Sequence, residues 1–593
     1  MSLQHSTRGT PRPSLTTGGH MGFVHESVLS APEARPTVRS ATRTATPLRI
    51  RWVNHASYVP TARDVRLITD PWLFGSAFNN GWDLISEAKF SLDDFREITH
   101  IWFSHEHPDH FAPPVLKAID PTVRANITVL FQETNDHNVL DFCDALGFKV
   151  QELRNHRWHA LAPGLRVLCG KVPFYDSWLL VETRGLKILN TNDCVVDGEA
   201  IAGDIVRHTG TVDVLLTQFS YANWIGNPDD RELREESAHE KLERVKIQVS
   251  TFRPTFTVPF ASFVYFSHEE NRYLNDAINT IDRAHNFIRR ETNTTPVVLH
   301  PGDEWDIGCD PARQNATALD AYRRDYDLAA KPFRKTSSVS LEELCRLSQA
   351  YVARIKSKNS ALLMALLALP PLRHFETVTF QLTDLDRVLA FDFKRALRVV
   401  EDGSAAAQMS LSSESLAFLL KFDWGYDTLM VNGRFRTSPR DYKRAMKTFY
   451  IGPLNNTGRY LHPRTLVDRD FVLRALPKFR LSSPWEPPED RVFRGGVENA
   501  NYGVVLQENR VSQERGHHAH LHRLSGFCHR HLVRRRLPSL ACAPPILRAR
   551  FFLRGTVRTT RSSREKAARS PSLFHHVAHN LIQAMDWGPS HRG

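Results

Sequence analysis

Three histidines and one aspartate fall within the six residues His105-Glu106-His107-Pro108-Asp109-His110. Neutral imidazole nitrogens and a carboxylate are the donors that a Zn²⁺-like ion takes. An apolar run from Ile98 to Phe103 leads into this stretch, and Ala112-Pro113-Pro114 followed by Val115 to Ile119 leads away. The pattern predicts a buried strand, a tight polar loop and a helix start, with proline where the first turn accepts it. A loop at a strand end can aim several imidazoles at one point. The alternative is a histidine-rich surface turn, against which the His-x-His-x-Asp-His order speaks. Asp109 could bind a second ion or take a proton from an attacking water. Glu106 and Pro108 read as spacers without chemistry.

Those side chains need a framework. Leu48 to Val53 alternates like a strand and runs into Asn54-His55, where His55 either faces the site or caps a turn. Val65 to Thr69 reads as a second strand ending at Asp70-Pro71. Asp70 can orient neighbouring loops, or serve only as a turn residue. Ile127 to Phe131 and Phe148 to Glu152 read as strands around a helix from His137 to Leu146. Leu165 to Leu168, Trp178 to Glu182 and Leu186 to Leu189 read as short strands, the last ending at Asn190-Thr191-Asn192-Asp193. A carboxylate there suits an ion-bridging role, although Asn and Asp also favour turns. Ser237 to Val249 reads as a helix with a solvated basic side, and Arg272 to Arg290 as an amphipathic helix over a sheet.

The histidine stretch resembles the signature of the metallo-β-lactamase superfamily. Arg51 to Ser57, Asp70 to Gly75, Lys187 to Cys194 and Pro259 to Phe263 running to Ser267-His268-Glu269 are similar to one branch of it. That branch is the metallo-β-lactamase-like part of CMP-N-acetylneuraminic acid hydroxylase and its bacterial relatives. The resemblance covers about residues 47–310. It implies a four-layer αββα sandwich holding one or two divalent ions between two sheets, zinc foremost, with manganese or iron as alternatives. It implies His105, His107, Asp109, His110, Asp193 and His268 as ligands, with His300 competing for the last position, and Asp70 as support for the metal loop. Two departures stand out. The chain has no Cys-x-His, and its one Cys-x-x-His, Cys528 to His531, stands without the second motif that a Rieske iron–sulfur domain needs. The superfamily also supplies a histidine just before the strand that precedes the Asp193 loop. Here that region reads Gly170 to Ser177 without histidine, and His156 and His159 lie early for the role.

Composition narrows the function classes. An apolar fraction of 41% in 593 residues supports a real core. The seven cysteines are scattered without a Cys-x-x-Cys pair, so a disulfide framework or zinc ribbon has no support and a reducing cytoplasm is expected. No apolar run is long enough to span a bilayer. The net charge of +12 misleads: residues 501–593 hold sixteen basic against four acidic residues, which accounts for the whole excess. The first 500 residues are about neutral, so nucleic acid is not an expected partner.

The expected organisation is a disordered tail over 1–46, the metallo-β-lactamase-like domain over 47–333, a smaller α+β accessory domain over 334–481, and a basic disordered tail over 482–593. In the accessory segment Leu341 to Ile355 and Ala361 to Leu369 read as helices. Thr377 to Leu382, Leu389 to Phe393 and Gln408 to Leu411 read as strands, and Ser412 to Ser415 opens a capped helix through Leu420. Strands closed by an apolar helix faintly suggest a sterol-carrier-like module. Ten of the 28 histidines lie beyond residue 500, and His517, His518, His520 and His522 receive no role.

The expected function is metal-dependent hydrolysis of a small ester, lactone or phosphodiester. A bound ion would lower the pKa of water to about 7 and so supply hydroxide at neutral pH, and Asp109 would assist with the proton. The alternatives are a non-catalytic metal-binding protein and a subunit of an oxygenase. A small-molecule substrate is the expected partner, and a homo-oligomer is left open.

Overall fold

The structure is a computed structural model that describes residues 48–460 except 63, 173, 174, 197, 371, 372 and 401–405. The two expected tails, and the accessory segment past 460, lie outside the described residues.

Two seven-stranded sheets form the centre of the first region. In spatial order the first contains Glu304–Asp306, Arg49–Asn54, Ser57–Ala62, Val65–Thr69, His100–Phe103, Thr128–Gln132 and Lys149–Leu153. The second contains Thr295–Pro296, Phe256–Phe260, Val214–Gln218, Leu186–Asn190, Ser177–Thr183, Leu165–Lys171 and Trp158–Ala162. Each sheet joins an antiparallel part to a parallel part. Val65–Thr69, His100–Phe103, Thr128–Gln132 and Lys149–Leu153 run parallel. So do Leu186–Asn190, Val214–Gln218, Phe256–Phe260 and Thr295–Pro296. Strands buried on both faces read as continuous apolar runs, which is why Val214–Gln218 and Phe256–Phe260 are buried at every position.

One apolar core lies between the sheets and contains Trp52, Tyr58, Trp102, Trp178, Val258 and Phe260. The helices Glu199–Thr209, Arg231–Phe252, Ile281–Glu291 and Ala312–Asp325 serve the second sheet. Pro113–Ala118 and Asn138–Ala145 bury Val115, Leu116, Val139 and Leu140 in a second core, with Ile101, Phe103 and Val129 of the first sheet. This is the expected αββα sandwich of the metallo-β-lactamase fold.

The second core continues without a break into the accessory region, where Phe380, Phe391 and Phe449 belong to it. That region is a five-stranded sheet in the order Ala396–Val399, Arg387–Asp392, Val378–Leu382, Met409–Leu411, Phe435–Thr437. Helices Leu341–Lys358, Ser413–Lys421, Gly425–Asn432, Pro439–Phe449 and Ile451–Tyr460 accompany it. Ser340 and Ser412 cap two of them through their hydroxyls.

Two local expectations need correction. Arg272 to Arg290 is not one helix: a 3₁₀ turn over Arg272–Asp276 is followed by a helix over Ile281–Glu291, which Thr280 caps. The basic side of Arg231–Phe252 is not wholly solvated. Lys241 is buried and donates to Gln218 Oε1 at 2.7 Å, and the fully buried Arg234 pairs with Asp276 at 2.7 Å. Each cation is kept inside by a hydrogen-bonded partner.

Candidate metal centre

The parallel strands of both sheets end at one place, the position at which α/β sheets carry their sites. Val65–Thr69 delivers Asp70, His100–Phe103 delivers Ser104 and the histidine loop, and Leu186–Asn190 delivers Asn192 and Asp193. His55, Asp70, Asn192 and Ala261, all at strand ends here, adopt positive φ of 40°, 37°, 33° and 46°. Such backbone is costly for non-glycine residues and gathers at functional sites.

Asp70 organises the loop as expected. Its carboxylate accepts the Ser104 N–H at 2.7 Å and the Ser104 hydroxyl at 2.8 Å, and meets His110 Nδ1 at 3.0 Å. A proton on Nδ1 shared with Asp70 turns His110 Nε2 into the site. There it lies 3.4 Å from Asp109 Oδ2 and 3.4 Å from Asp193 Oδ2. His105 Nε2 faces His107 Nδ1 at 2.9 Å. Zn–N bonds of 2.0–2.1 Å place neighbouring ligands of a tetrahedron about 3.3 Å apart, so this spacing is near that of a shared ion. His105, His110 and Asp193 offer ligand atoms within 4.8 Å of one another, and so do His55, Asp109 and His110.

Polar atoms left over inside the site support a cation. His107 Nε2, Asp109 Oδ1 and His110 Nε2 are buried without a hydrogen bond. Leaving such atoms unsatisfied is expensive, and a coordinated ion removes the cost. Charge gives the same answer. Burial pushes the Asp109 and Asp193 carboxyls up, but His110 outweighs it and holds Asp109 well below and Asp193 below the usual range. Burial would lower His110, but Asp109, Asp193 and Asp70 raise it well above its ordinary value. A single proton on His110 thus balances three carboxylates, a place that a divalent ion could take. Burial and His105 lower His107 to about 4, so it stays a neutral ligand.

His55 enters the site, the first of the two roles open to it. Its Nδ1 accepts the Phe263 N–H at 3.3 Å and its Nε2 meets Asp109 Oδ2 at 3.3 Å. With Nδ1 accepting, Nε2 carries the proton. That tautomer makes His55 a positioning residue for Asp109. Asp193 is held by Gln218, whose Nε2 donates to Oδ1 at 3.0 Å while its Oε1 accepts from Lys241.

His105, His107, Asp109, His110 and Asp193 gather, whereas His268 does not join them. The chain turns at Ala261 and continues through Val264–Phe266, which pairs with Trp82–Leu84 and carries His268 away. His268 is buried next to Glu270, 3.4 Å from Nδ1, and burial with Arg434 lowers it to about 4. His300 pairs instead with Asp325 at 2.8 Å. The gap left by the missing histidine faces neither His156 nor His159. Asp176, buried immediately before Ser177–Thr183, acts there on His107 with its negative charge. No local pattern in Gly170 to Ser177 marks Asp176 for that place.

Glu106, expected to be a spacer, ties the loop to the accessory region. It accepts from Trp424 Nε1 at 2.6 Å and pairs with Arg459, which also pairs with Asp136. Tyr175 and Trp424 lie 5.3 and 6.2 Å from the His107 ring, so the accessory region walls this side of the site.

A family described as a beta-lactamase superfamily domain matches residues 49–219. This segment belongs to the beta-lactamase superfamily. Among curated proteins, the chain is 27% identical over 276 residues to cytidine monophosphate-N-acetylneuraminic acid hydroxylase of Mus musculus, covering 44% of this chain and 47% of that one. The Danio rerio protein of the same name is 26% identical over 299 residues, covering 46% and 48%. The chain thus spans about half the length of the curated relatives it matches. Among solved structures it is similar to the diiron beta-hydroxylase CmlA of Streptomyces venezuelae, with TM-score 0.31, 15% identity and 44% and 55% of the two chains covered. It is also similar to a possible metal-dependent hydrolase of Veillonella parvula, with TM-score 0.34, 12% identity and 44% and 100% covered. Among the described residues no helix is long and apolar enough to cross a membrane.

Proposed function

We propose that the chain is a metal-dependent hydrolase acting on a small ester, lactone or phosphodiester. The observation that carries this reading is the convergence of His105, His107, Asp109, His110 and Asp193 around buried donor atoms without hydrogen bonds. Asp176 is proposed to complete the donor set beside His107. When bound, a divalent ion supplies Lewis acidity and lowers the pKa of water to about 7. Asp109, kept ionised and aimed by His55, receives the proton from the attacking water. Asp70 fixes the His110 tautomer, as carboxylates behind metal-bound histidines do. Gln218 and Lys241 fix Asp193, whose side chain is 20% exposed and so marks the side open to substrate.

A second reading has its own support. Three carboxylates, Asp109, Asp176 and Asp193, make the donor set richer in oxygen than a zinc site of imidazoles, which suits iron or manganese. The matched relatives are named as hydroxylases, so an oxygenase-associated subunit is the competitor.

The test is elemental analysis of the purified chain, then turnover of phosphodiester, lactone and ester substrates with Zn²⁺, Mn²⁺ or Fe²⁺ supplied. Hydrolysis that disappears in His107→Ala supports the proposal. Absence of hydrolysis with consumption of dioxygen by the reduced, iron-loaded chain supports the competitor. No stoichiometric metal, and no change on His107→Ala, would overturn both.

A further inference from the structure

A second group of metal donors lies away from the centre just described. His156 occupies the turn between Lys149–Leu153 and Trp158–Ala162, and Asp204 and His208 stand one turn apart on the helix Glu199–Thr209. Ligand atoms of the three lie within 4.8 Å of one another. The His156 and His208 rings stack with centroids 3.8 Å apart and planes 27° apart, and the other side of the stack continues to Trp178 at 5.8 Å.

As placed, the stacked rings aim their in-plane lone pairs side by side, so a shared ion requires the exposed His208 to turn about its side-chain torsions. His156 has φ of 55° and its N–H donates to Cys169 O at 2.9 Å, so its backbone is anchored to the strand Leu165–Lys171. Asp204 and His208 share one helix face by their spacing of four residues. Asp204 accepts from Arg207 at 2.7 Å, and the Arg207 side chain is 67% exposed. The Asp204 side chain itself is only 13% exposed, so its carboxylate lies at the inner side of the helix beside the two imidazoles. Two imidazoles and one carboxylate leave a fourth position for water, a set suited to zinc and its neighbours among the late first-row ions.

We propose that His156, Asp204 and His208 form a second, separate site for a divalent transition ion of the zinc type. The ion fastens the helix that follows the Asp193 loop to the edge of the second sheet. The site is structural, and it shares no ligand with the centre at His105.

The test uses the full chain, stripped of metal with a chelator and titrated with Zn²⁺ alone. His208 is exposed, so His208→Ala should fold, and His156→Asn keeps a residue tolerant of positive φ. Histidines elsewhere in the chain are identical in all variants and cancel in the difference. The expected result is about one molar equivalent less zinc bound by His208→Ala than by the parent, with a zinc-dependent rise in melting temperature lost in the variant. The same difference should persist in a His107→Ala background, so that failure at the first centre is told apart from failure here. Equal stoichiometry and equal zinc-dependent melting in parent, His208→Ala and His156→Asn would overturn the proposal.

Discussion

Aspartates are buried in two regions of this molecule with opposite results. At the strand ends, Asp109 and Asp193 are held below the ordinary carboxylate range because His110 outweighs burial. In the accessory region Asp427 is buried too, and burial raises it to about 7. Only the Asn456 amide and its own backbone N–H pull it back, and the Asn456 amide also donates to the Asp423 carbonyl at 3.1 Å. Asp109 and Asp427 lie equally deep, the Asp193 side chain is 20% exposed, and company rather than depth separates them. The first region keeps charge ready for an ion or a proton, while the second tolerates a carboxyl mainly by leaving it neutral.

The largest effect expected from breaking this contrast is at Asp109. Asp109→Asn keeps the shape and removes the charge, and turnover by the metal-loaded chain should fall about 10²- to 10⁴-fold. Steady-state rates on whichever substrate the screen yields provide the measurement, and a change under threefold would remove Asp109 from the chemistry.

Asp427→Asn should move the other way. Because its folded pKa is raised, the acid contributes stability that is full below pH about 4 and lost as pH rises toward about 7. The asparagine variant escapes that loss. Denaturant unfolding should show it gaining roughly 2–4 kcal/mol on the parent between pH 5 and pH 8. A gap that does not change with pH would contradict the contrast.

Asp70 sits between the two cases, since burial raises it even though His110 and Ser104 pull it down. Asp70→Asn should weaken metal binding by about 10- to 100-fold, the usual loss for a carboxylate behind a ligating histidine. Competition with a chelator of known affinity measures this.

The smallest effect belongs to the seam. Glu106→Gln weakens the contact to Arg459 and should cost about 1–3 kcal/mol of stability while leaving the metal content unchanged. Loss of bound metal in this variant would mean that the accessory region holds the histidine loop in shape.

Much of this was legible in residue order. Short-range patterns fix local structure: the apolar run into Ser104, the prolines at 113 and 114, and the hydroxyl cap at Ser412 all give the elements observed. The histidine loop was legible for the same reason, because His105, His107, Asp109 and His110 lie in one turn and need no distant partner to be seen together. His268 shows the limit. A strand end predicts an exposed tip, but only the turn at Ala261 and the pairing of Val264–Phe266 with Trp82–Leu84 decide which way that tip faces.

The sequence by itself determined a metal-suited loop and the strands and helices around it and in the accessory segment, since each depends on neighbours along the chain; the sandwich was what the family resemblance implied. The tertiary structure alone decided that His55 faces the loop, that the charge of Asp176 acts on His107, that His268 does not join the loop, and that Arg459 reaches Glu106. The reason is physical: donors far apart in sequence meet only when strands from two sheets end at one point, and no local pattern encodes that meeting.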